Sequence, residues 1–596
     1  MEKCGAKNIV GIQKNFEVIL VEKLVLFSGK ELDWLPKQGR ILRLKQEVEK
    51  NPESEEEMLE GEDFIGGEEM LEIKKKSVFI AQNWHKFDKK IRDSLFYREI
   101  SLGALSEYLA QIRIEIELLN FETVLRALKK FRPKKIFVAK GSDAEHYSRL
   151  ALQTTGTDSE IVLFPPKGDF SIAKKFNYKR RIPELSKKTR ALLKRSVKKG
   201  PVVLFRSRGY FEKLKQEFEK ESEFSVFSMD EAFIADALNP KRWIGSQKKN
   251  REHLRNIFSC FAASGSVSKK LAYKKIGLMK ICPWVFSRLF SEFEEYCRAI
   301  DSIFRVFEKQ GPVAVLLWND NLAIEKAIVL IARLKKVPSI VLQHGIFASL
   351  RKEIKGYYSG YIPVFAGNIC VWGPAEKDIL EWHNVPGSKI IVTGNPKFDS
   401  FRAENFSEEE TRKKLGIGKK EKVIMIATQE SYVADFKSAS EKIIRIAKKI
   451  GNTRVLIRPH PLEYPETYKK IAEVRNSNAV VDRDSLLPEQ LNLCSVLVTS
   501  NSTVGLEAMV FGKPVVIFDP NNKADFYKGT KGAVKTGNID GLENAVKKAL
   551  ADGPAMKRAR KLFTEAHAFK ADGKTGQRII ELVREKTLCN KKGIQK

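Results

Sequence analysis

The strongest constraint on the fold of this chain lies in residues 495–518, which read SVLVTSNSTVGLEAMVFGKPVVIF. The apolar run 495–499 predicts a short buried strand, and the small polar residues 500–503 predict a turn that opens a helix at 504–511. A Gly-Lys-Pro sequence ends this helix, and residues 515–518 predict the next strand. A strand, a turn and a helix in this order are typical of a parallel α/β sheet.

The turn in this segment predicts an anion site. Free backbone N–H groups and the positive end of the helix dipole meet there at the carboxyl edge of the sheet, an arrangement suited to the phosphates of a nucleotide. Ser500, Ser502 and Thr503 are the candidate phosphate contacts. Glu507, one turn into the helix, is the candidate hydrogen-bond acceptor for a ribose.

The net charge limits the classes of partner. The chain has 596 residues, with 107 Lys and Arg against 75 Asp and Glu and a net charge of +32. This excess predicts a polyanionic partner, which is a nucleic acid, an anionic membrane or a phosphorylated substrate. Seven scattered cysteines without a C-x-x-C spacing argue against a zinc site or disulfides and favour a reducing cytoplasm. Neither a signal core nor an apolar run of about 18 residues occurs, so we expect a cytoplasmic protein, soluble or peripheral on the inner face of the cell membrane.

Alternating strand and helix patterns predict the fold class α/β, with two doubly wound Rossmann-like domains that face a cleft. We place an N-terminal acceptor-side domain at residues 1–350 and a nucleotide-binding domain at 366–555. C-terminal helices and a tail follow at 556–596. A hinge is expected near 345–370, where Gly, Tyr and Pro cluster.

Two charged segments interrupt the N-terminal half. Residues 47–72 hold twelve acids and predict a solvated, partly disordered loop, with strands on either side at 16–27 and 77–81. A basic helical insert is predicted at about 171–310. Within it, residues 174–199 carry twelve Lys or Arg against one acid. This segment is either a solvated charged face or an amphipathic helix that contacts an anionic membrane, and no motif supports nucleic acid as its partner.

The first candidate catalytic group is His344, in the motif Gln-His-Gly that follows the predicted strand 339–343. A histidine at a strand tip beside a glycine faces the cleft of an open α/β sheet, so His344 is the candidate general base for an acceptor hydroxyl. The alternative is a histidine that only holds its loop. Asp320, after the strand 313–318, is a weaker candidate for the acceptor side, and helix capping explains it equally well.

Three further strand ends carry candidate nucleotide ligands. Arg458 and His460 lie in the turn Arg-Pro-His-Pro, where a cation and an imidazole suit a leaving diphosphate, and a purely structural turn is the alternative. Gly394 and Asn395 open the turn Gly-Asn-Pro, for which a structural role is equally expected. Thr428 either offers its N–H group to a phosphate or caps a helix. The remaining histidines show no metal-ligand spacing, so no metal or other cofactor is expected.

Taken in order, the motifs QHG, GNPKFD, RPHP and SNSTVGLEAMVFGKPVV resemble those of a known group, the GT-B transferases of cell-surface polymer synthesis. This group includes CDP-glycerol glycerophosphotransferases, capsule polysaccharide transferases and bacterial polysialyltransferases. UDP-N-acetylglucosamine 2-epimerases share its fold. The resemblance covers about residues 313–550. It implies a nucleotide-binding C-terminal domain in which His460 and the Ser/Thr turn surround the phosphates, with His344 as the base and no metal.

The sequence departs from two of these relatives. The 2-epimerases carry His-Val-Glu-Ala-Gly-Leu-Arg where this chain reads QHGIFASL, which disfavours an epimerase. Many glycerophosphotransferases have Asp-Tyr-Ser-Ser where this chain has Ser-Asn-Ser-Thr, so the donor base stays open. We expect an inverting, metal-independent transferase that moves a sugar or glycerophosphate from a nucleotide-activated donor, a nucleotide sugar or a CDP-glycerol-like one, to a glycan or lipid-linked acceptor. The alternatives are an isomerase of the 2-epimerase type and a non-catalytic module.

Overall fold

The structure is a computed structural model that describes most of the chain. It covers residues 17–21, 40–43, 59–60, 65–140, 142–164, 200–206, 211–230, 244–347, 354, 357–403, 406–429, 434–474 and 478–594. The predicted basic segment 174–199 lies outside the described residues, as does the acidic segment up to residue 64 apart from 59–60. Among the residues that are covered, no helix is long and apolar enough to cross a membrane.

Several helices begin at a side chain that caps their first turn. The long helix Leu102–Phe131, for example, begins at Ser101, whose Oγ accepts a hydrogen bond from the Ala104 N–H at 3.2 Å. The others in the described ranges are Gly67–Asn83, Lys89–Ser94, Asp143–Thr155, Glu212–Glu221, Ile244–Ala263, Gly265–Lys270, Leu278–Ile281, Pro283–Gln310, Ala323–Leu334, Pro374–Trp382, Pro396–Ala403, Glu408–Lys414, Phe436–Ile450, Pro465–Val474, Leu487–Leu493, Thr503–Val510, Leu542–Ala551, Pro554–Ala568 and Thr575–Ile594, with short 3₁₀ turns at Gly387–Lys389 and Asp525–Tyr527.

In the residues that the structure describes, the strands form three parallel sheets and two small hairpins. The N-terminal sheet has the spatial order 3-2-1-4-5 when its strands are counted along the chain. Its strands in that spatial order are Leu59–Glu60, Arg40–Arg43, Glu17–Val21, Lys135–Ala139 and Glu160–Phe164. The two hairpins are Phe96–Tyr97 with Ile100–Ser101 and Ala272–Tyr273 with Ile276–Gly277.

Over its described ranges the central sheet has six parallel strands in the order 2-1-3-4-5-6, counted along the chain. In that spatial order they are Ser225–Ser228, Val202–Arg206, Ala314–Leu317, Ser339–Leu342, Asn368–Val371 and Ile390–Val392. The order reverses between Val202–Arg206 and Ala314–Leu317, so the crevice of this sheet lies beyond the carboxyl ends of these strands.

The described part of the C-terminal sheet also has six parallel strands, in the order 3-2-1-4-5-6. In that spatial order they are Ala479–Val481, Thr453–Arg458, Lys422–Ala427, Val496–Thr499, Val515–Phe518 and Val534–Thr536. Along Lys422–Ala427 the side chains alternate between two apolar cores, with Met425 in one and Ile426 in the other. Burial on both faces explains why this strand reads as one continuous apolar run.

The predicted α/β class with two doubly wound sheets is confirmed, and the N-terminal sheet is a third parallel sheet that the sequence patterns did not separate. It shares one apolar core with the central sheet, because Ile136 and Val138 of the former lie in the same cluster as Leu204, Val315 and Val341 of the latter. The N-terminal and central sheets therefore form one packed body.

The central sheet extends further along the chain than the predicted N-terminal domain. Asn368–Val371 and Ile390–Val392 pair with the central sheet, so this sheet continues to residue 392, and the predicted hinge at 345–370 lies within its connections. Likewise, Val202–Arg206 and Ser225–Ser228 are central strands, so 171–310 is only partly an insert. Both differences arise because strand pairing joins residues that are distant in sequence.

The predicted strand at 77–81 is wrong, and so is the loop over the last part of 47–72. Both lie in the helix Gly67–Asn83, whose buried residues Ile73, Ser77 and Ile80 recur every three or four positions. This is the helical period, and the acids Glu68 and Glu72 near the start of the helix are exposed.

The C-terminal helix Thr575–Ile594 leaves the C-terminal unit and packs on the central sheet. Ile579 and Val583 of this helix lie in one apolar cluster with Val203 and Phe205 of the central sheet. A second contact lies at Gly373, where an added Cβ would overlap the carbonyl of Ala566. The central and C-terminal units are therefore joined at several points besides the connecting chain.

Candidate active site

The C-terminal sheet places three predicted loops side by side at its carboxyl edge. The strands Lys422–Ala427 and Val496–Thr499 are neighbours, and the strand order reverses between them. The loops that leave these two strands are joined, because Gln429 Nε2 donates to the carbonyl of Asn501 at 3.3 Å. The RPHP turn follows Thr453–Arg458, on the other side of Lys422–Ala427. Open α/β sheets bind their ligands at such a reversal.

The Ser/Thr turn opens the helix Thr503–Val510, as predicted. Ser502 caps this helix, since its Oγ accepts a hydrogen bond from the Val504 N–H at 3.3 Å. The carbonyl of Ser502 accepts a hydrogen bond from the Tyr527 hydroxyl. An added Cβ at Gly505 would overlap this hydroxyl, so glycine is required for Tyr527 to hold the turn.

Four polar oxygens around this turn are buried and make no hydrogen bond to any residue that the structure describes: Ser500 Oγ, Asn501 Oδ1, Glu507 Oε2 and Gln429 Oε1. Ser500 is fully buried and Glu507 is 3% exposed. A buried polar atom without a partner destabilises a protein by about 1–3 kcal/mol. A ligand can supply the missing hydrogen bonds of such atoms, and these four lie beside the sheet reversal.

Glu507 is paired with a residue that the sequence reasoning missed. Lys397 Nζ donates to Glu507 Oε1 at 2.8 Å, and the lysine side chain is 52% exposed. Lys397 belongs to the helix Pro396–Ala403, which follows the last central strand, so this ion pair bridges two units. The motif GNPKFD contained the lysine, but its partner is more than a hundred residues away and no local pattern indicates it.

Hydrogen bonds within the RPHP turn and to the neighbouring strand end fix both the backbone and the ring of His460. The backbone N–H of His460 donates hydrogen bonds to Thr428 Oγ1 at 2.9 Å and to Glu463 Oε2 at 3.1 Å. Its ring Nδ1 accepts a hydrogen bond from the Leu462 N–H at 3.3 Å. An accepting Nδ1 carries no proton, so in the neutral ring the proton is on Nε2, which is then a hydrogen-bond donor.

Arg458 is engaged by neighbouring loops. Its Nη1 donates to the Ser485 carbonyl and to Gln490 Oε1, both at 2.8 Å. Burial lowers the pKa of Arg458, and the charges of Asp482 and Glu507 oppose that shift. The guanidinium therefore lies near Glu507 and also organises the loop after the adjacent strand.

The bonds of Thr428 favour the structural alternative. Its N–H donates to the Arg458 carbonyl at 3.1 Å, and its hydroxyl donates to Glu463. Together with its bond to the His460 N–H, these contacts fasten the RPHP turn to the neighbouring strand. Thr428 thus positions His460. The N–H of Thr428 is used in a hydrogen bond within the protein, to the Arg458 carbonyl.

Gly394 and Asn395 also occupy structural positions. Gly394 has φ +90°, and an added Cβ would lie 2.8 Å from Thr575 Oγ1. Asn395 Oδ1 accepts from the Lys397 N–H at 3.0 Å, which caps the short helix that carries Lys397. Their contribution to the site is to present that lysine to Glu507.

His344 lies at the carboxyl end of the central strand Ser339–Leu342, between two aromatic rings. The ring of Trp318 lies 4.9 Å from the imidazole at an angle of 72°, and that of Tyr361 lies 4.9 Å away at 31°. Burial lowers the pKa of His344 to about 4, against a hydrogen bond to the Trp318 backbone that raises it. The imidazole is therefore neutral at pH 7, which is the form that accepts a proton.

Gln343 fixes the turn that carries His344. Its Nε2 donates to the Gly345 carbonyl at 2.8 Å, and its Oε1 accepts from the Trp372 N–H at 2.8 Å. Its own carbonyl accepts from Trp372 Nε1 at 2.9 Å. These bonds tie the end of one central strand to the end of the next and fix the turn on which the His344 imidazole lies.

The carboxylate of Asp320 is used inside the fold. It is 1% exposed, and its Oδ2 accepts from the N–H groups of Phe365 and Ala366 at 2.7 and 2.8 Å. Burial raises the pKa of Asp320 to about 6, and these two bonds limit the shift. The geometry favours a structural role over contact with an acceptor.

The two halves of the candidate site approach each other between the central and C-terminal units. Ile346, two residues after His344, packs against the apolar cluster that contains Phe398 and Leu506. The helix of Leu506 is the one that the Ser/Thr turn opens. The turn of His344 and the helix that the Ser/Thr turn opens are thus joined by one apolar contact between the central and C-terminal units. In the described parts of the chain, no group of His, Cys, Asp and Glu side chains is arranged to hold a metal ion.

Residues 376–585 match the family model described as CDP-Glycerol:Poly(glycerophosphate) glycerophosphotransferase. This range includes the whole C-terminal sheet and its Ser/Thr and RPHP turns. The match confirms the resemblance predicted from the motifs and the prediction of a transferase enzyme. A search of curated proteins finds no match.

Solved structures with a similar chain path include a UDP-GlcNAc 2-epimerase from Neisseria meningitidis bound to UDP-GlcNAc, at 16% identity over 64% of this chain and 99% of that chain, with a TM-score of 0.42. The UDP-GlcNAc 2-epimerase from Methanocaldococcus jannaschii has 14% identity over 65% and 99%, with a TM-score of 0.42. The wall teichoic acid polymerase TagF has 14% identity over 49% and 85%, with a TM-score of 0.33.

Proposed function

We propose that this protein is a transferase that moves a glycerophosphate or sugar group from a nucleotide-activated donor to an acceptor hydroxyl in the synthesis of a cell-surface polymer. The observation that carries the proposal is the set of buried oxygens without partners among the described residues at the C-terminal sheet reversal. The family match spans the same turn and supports a donor of the CDP-glycerol type.

The donor binds with its phosphates at the amino terminus of the helix Thr503–Val510. The helix dipole, the Ser500 hydroxyl and the N–H groups of the turn face the negative charge. His460 Nε2 donates a further hydrogen bond to the phosphates. Glu507 Oε2 accepts from a ribose hydroxyl, while Lys397 on Oε1 holds the carboxylate in place.

The transfer step is a single displacement that inverts the reacting centre. The acceptor oxygen attacks the donor phosphorus or anomeric carbon as His344 Nε2 or Nδ1 takes the hydroxyl proton, and the bond to the leaving nucleotide phosphate breaks. His460 and the turn N–H groups stabilise the charge that develops on the leaving phosphate. In this mechanism protein groups, rather than a metal, carry that stabilisation.

The acceptor is a glycan or a lipid-linked glycan, used at the inner face of the cell membrane. The net charge of +32 supports this part of the proposal, since an anionic membrane or a polyanionic polymer attracts a basic protein. Binding to vesicles of anionic lipid, compared at low and high salt, tests it. Equal binding to neutral vesicles would contradict an electrostatic contact.

The test of the active site is the variant His344→Ala, with the exposed His253→Ala as its control. CDP-glycerol and UDP-sugars are supplied with a polyol or glycan acceptor, and nucleotide release is measured together with the thermal shift that each nucleotide causes. His344→Ala is expected to abolish turnover and keep the thermal shift, whereas His253→Ala keeps both. Full turnover by His344→Ala contradicts the mechanism. Epimerised UDP-GlcNAc formed without acceptor would replace the transferase with an isomerase.

A further inference from the structure

We propose that the long helix Leu102–Phe131 positions the candidate base His344 through residues 357–366, and that Gln111 is the positioning residue. The inference rests on the proposed role of His344. It assigns part of the transferase site to the N-terminal body, outside the residues 376–585 that the family model matches.

The first contact is a pair of hydrogen bonds between Gln111 and the backbone of Tyr358. The Tyr358 N–H donates to Gln111 Oε1 at 2.8 Å, and Gln111 Nε2 donates to the Tyr358 carbonyl at 3.1 Å. Gln111 is fully buried. One amide side chain therefore pairs both backbone groups of a residue in irregular structure, as a neighbouring strand does in a sheet.

The second contact lies one helical turn away, at Glu107. The Tyr358 hydroxyl donates to this carboxylate, which also accepts from Lys326 at 2.9 Å and from His85 at 2.9 Å. Lys326 in turn lies 3.8 Å from the ring centroid of Phe365. Positions four apart share a helix face, so Glu107 and Gln111 both bind residues 357–366 from the side of the long helix.

The central sheet holds the same segment from the other side. Asn319 Nδ2 donates to the Gly360 carbonyl at 2.8 Å, and Asp320 accepts from the N–H groups of Phe365 and Ala366. Asn319 and Asp320 directly follow Trp318, the ring that lies against one face of His344. The segment is thus fixed between the long helix and the sheet end that carries the site.

Tyr361 transmits this position to the imidazole. Its ring lies 4.9 Å from that of His344 and 4.4 Å from that of Phe347. An added Cβ at Gly345 would lie 2.9 Å from the Tyr361 hydroxyl, so the tyrosine also abuts the turn of His344. Without the Gln111 pair, two backbone groups of Tyr358 lose their partners, and the segment that places Tyr361 is no longer held from the helix side.

The test is Gln111→Met, which keeps most of the side-chain volume and removes both hydrogen bonds. We expect kcat to fall at least tenfold, with the KM for the donor and the nucleotide thermal shift unchanged, because the donor site lies on the C-terminal sheet. The control is Glu292→Gln. Glu292 forms a bidentate ion pair with Arg113, which lies on the same helix as Gln111, and the variant weakens this pair. It is expected to keep kcat within twofold. If Gln111→Met does not fold, Tyr358→Phe removes only the bond to Glu107 and is expected to lower kcat in the same way.

A double-variant cycle separates positioning from general destabilisation. Tyr361→Ala removes the ring that lies against His344 and is expected to lower kcat. Gln111→Met added to Tyr361→Ala is expected to cause no further loss, because both changes act on the same contact. Fully additive losses overturn the inference, as does a Gln111→Met enzyme with kcat within twofold of the wild type. If His344→Ala itself is fully active, the proposed function fails first.

Discussion

Ser500→Ala is expected to change the stability of the free protein and its affinity for nucleotides in opposite directions. Ser500 is fully buried, and its Oγ has no hydrogen-bond partner within the described chain. A buried hydroxyl in this state destabilises the fold by about 1–3 kcal/mol, and alanine removes only that one oxygen. The free energy of unfolding of the unliganded protein should therefore rise by about 1 kcal/mol.

The same change should weaken nucleotide binding. A hydrogen bond to a charged phosphate contributes about 1.5–3 kcal/mol, which corresponds to roughly a 10- to 150-fold increase in Kd. Urea unfolding without ligand gives the first quantity, and calorimetric titration with CDP and UDP gives the second. The two results together distinguish a ligand contact from a structural hydroxyl.

The chain offers a matched control at Ser440. This serine is also fully buried with an Oγ that bonds to nothing described, but it lies on the helix Phe436–Ile450, away from the Ser/Thr turn. Ser440→Ala should stabilise the free protein to a similar extent and leave nucleotide affinity unchanged. If Ser500→Ala destabilises the free protein and leaves Kd unchanged, the reasoning about this turn is refuted.

Three other predictions concern the titratable side chains Glu507, Glu107 and His344. Glu507→Gln should weaken CDP and UDP binding about tenfold but leave 2′-deoxy or 3′-deoxy analogues less affected; an equal loss for all analogues excludes a ribose contact. Burial opposes ionisation of Glu107, but the His85 hydrogen bond and the Lys326 charge outweigh it and lower the pKa of Glu107 to about 2 from 4.5. Its stabilisation is therefore present above pH 4.5 and is lost as the pH falls toward 2, by about 3 kcal/mol in urea unfolding, and Glu107→Gln should abolish this dependence. Because burial lowers the pKa of His344 to about 4, the acidic limb of the kcat profile should fall near pH 4; a limb near pH 6.5 contradicts the buried imidazole as base.

The C-terminal half of the site was predictable because its information is local. In residues 495–518 the strand, the turn and the helix are contiguous, so a single segment indicates both the sheet edge and the dipole of the helix. The structure has Val496–Thr499, Thr503–Val510 and Val515–Phe518 within one residue or so of the predicted bounds. In a contiguous motif of this kind, the sequence alone indicates how the strand, the turn and the helix are arranged.

Contacts between distant segments were not predictable in the same way. The pairing of Asn368–Val371 with Ser339–Leu342 extends the central sheet past residue 366, and no property of either strand indicates which strand is its neighbour. The same holds for the partners of Lys397 and Gln111, which lie 110 and 247 residues away in sequence. A side-chain type indicates which bonds are possible, and only the fold decides which are made.

The path of the C-terminal helix has a consequence for synthesis on the ribosome. Ile579 and Val583 complete the apolar surface of the central sheet, whose own strands end at residue 392. At about 5–20 residues per second, the ribosome needs on the order of 10–40 s to add the intervening stretch. During that interval the central sheet has an uncovered apolar face, which makes the nascent chain a candidate client for chaperones before its last helix emerges.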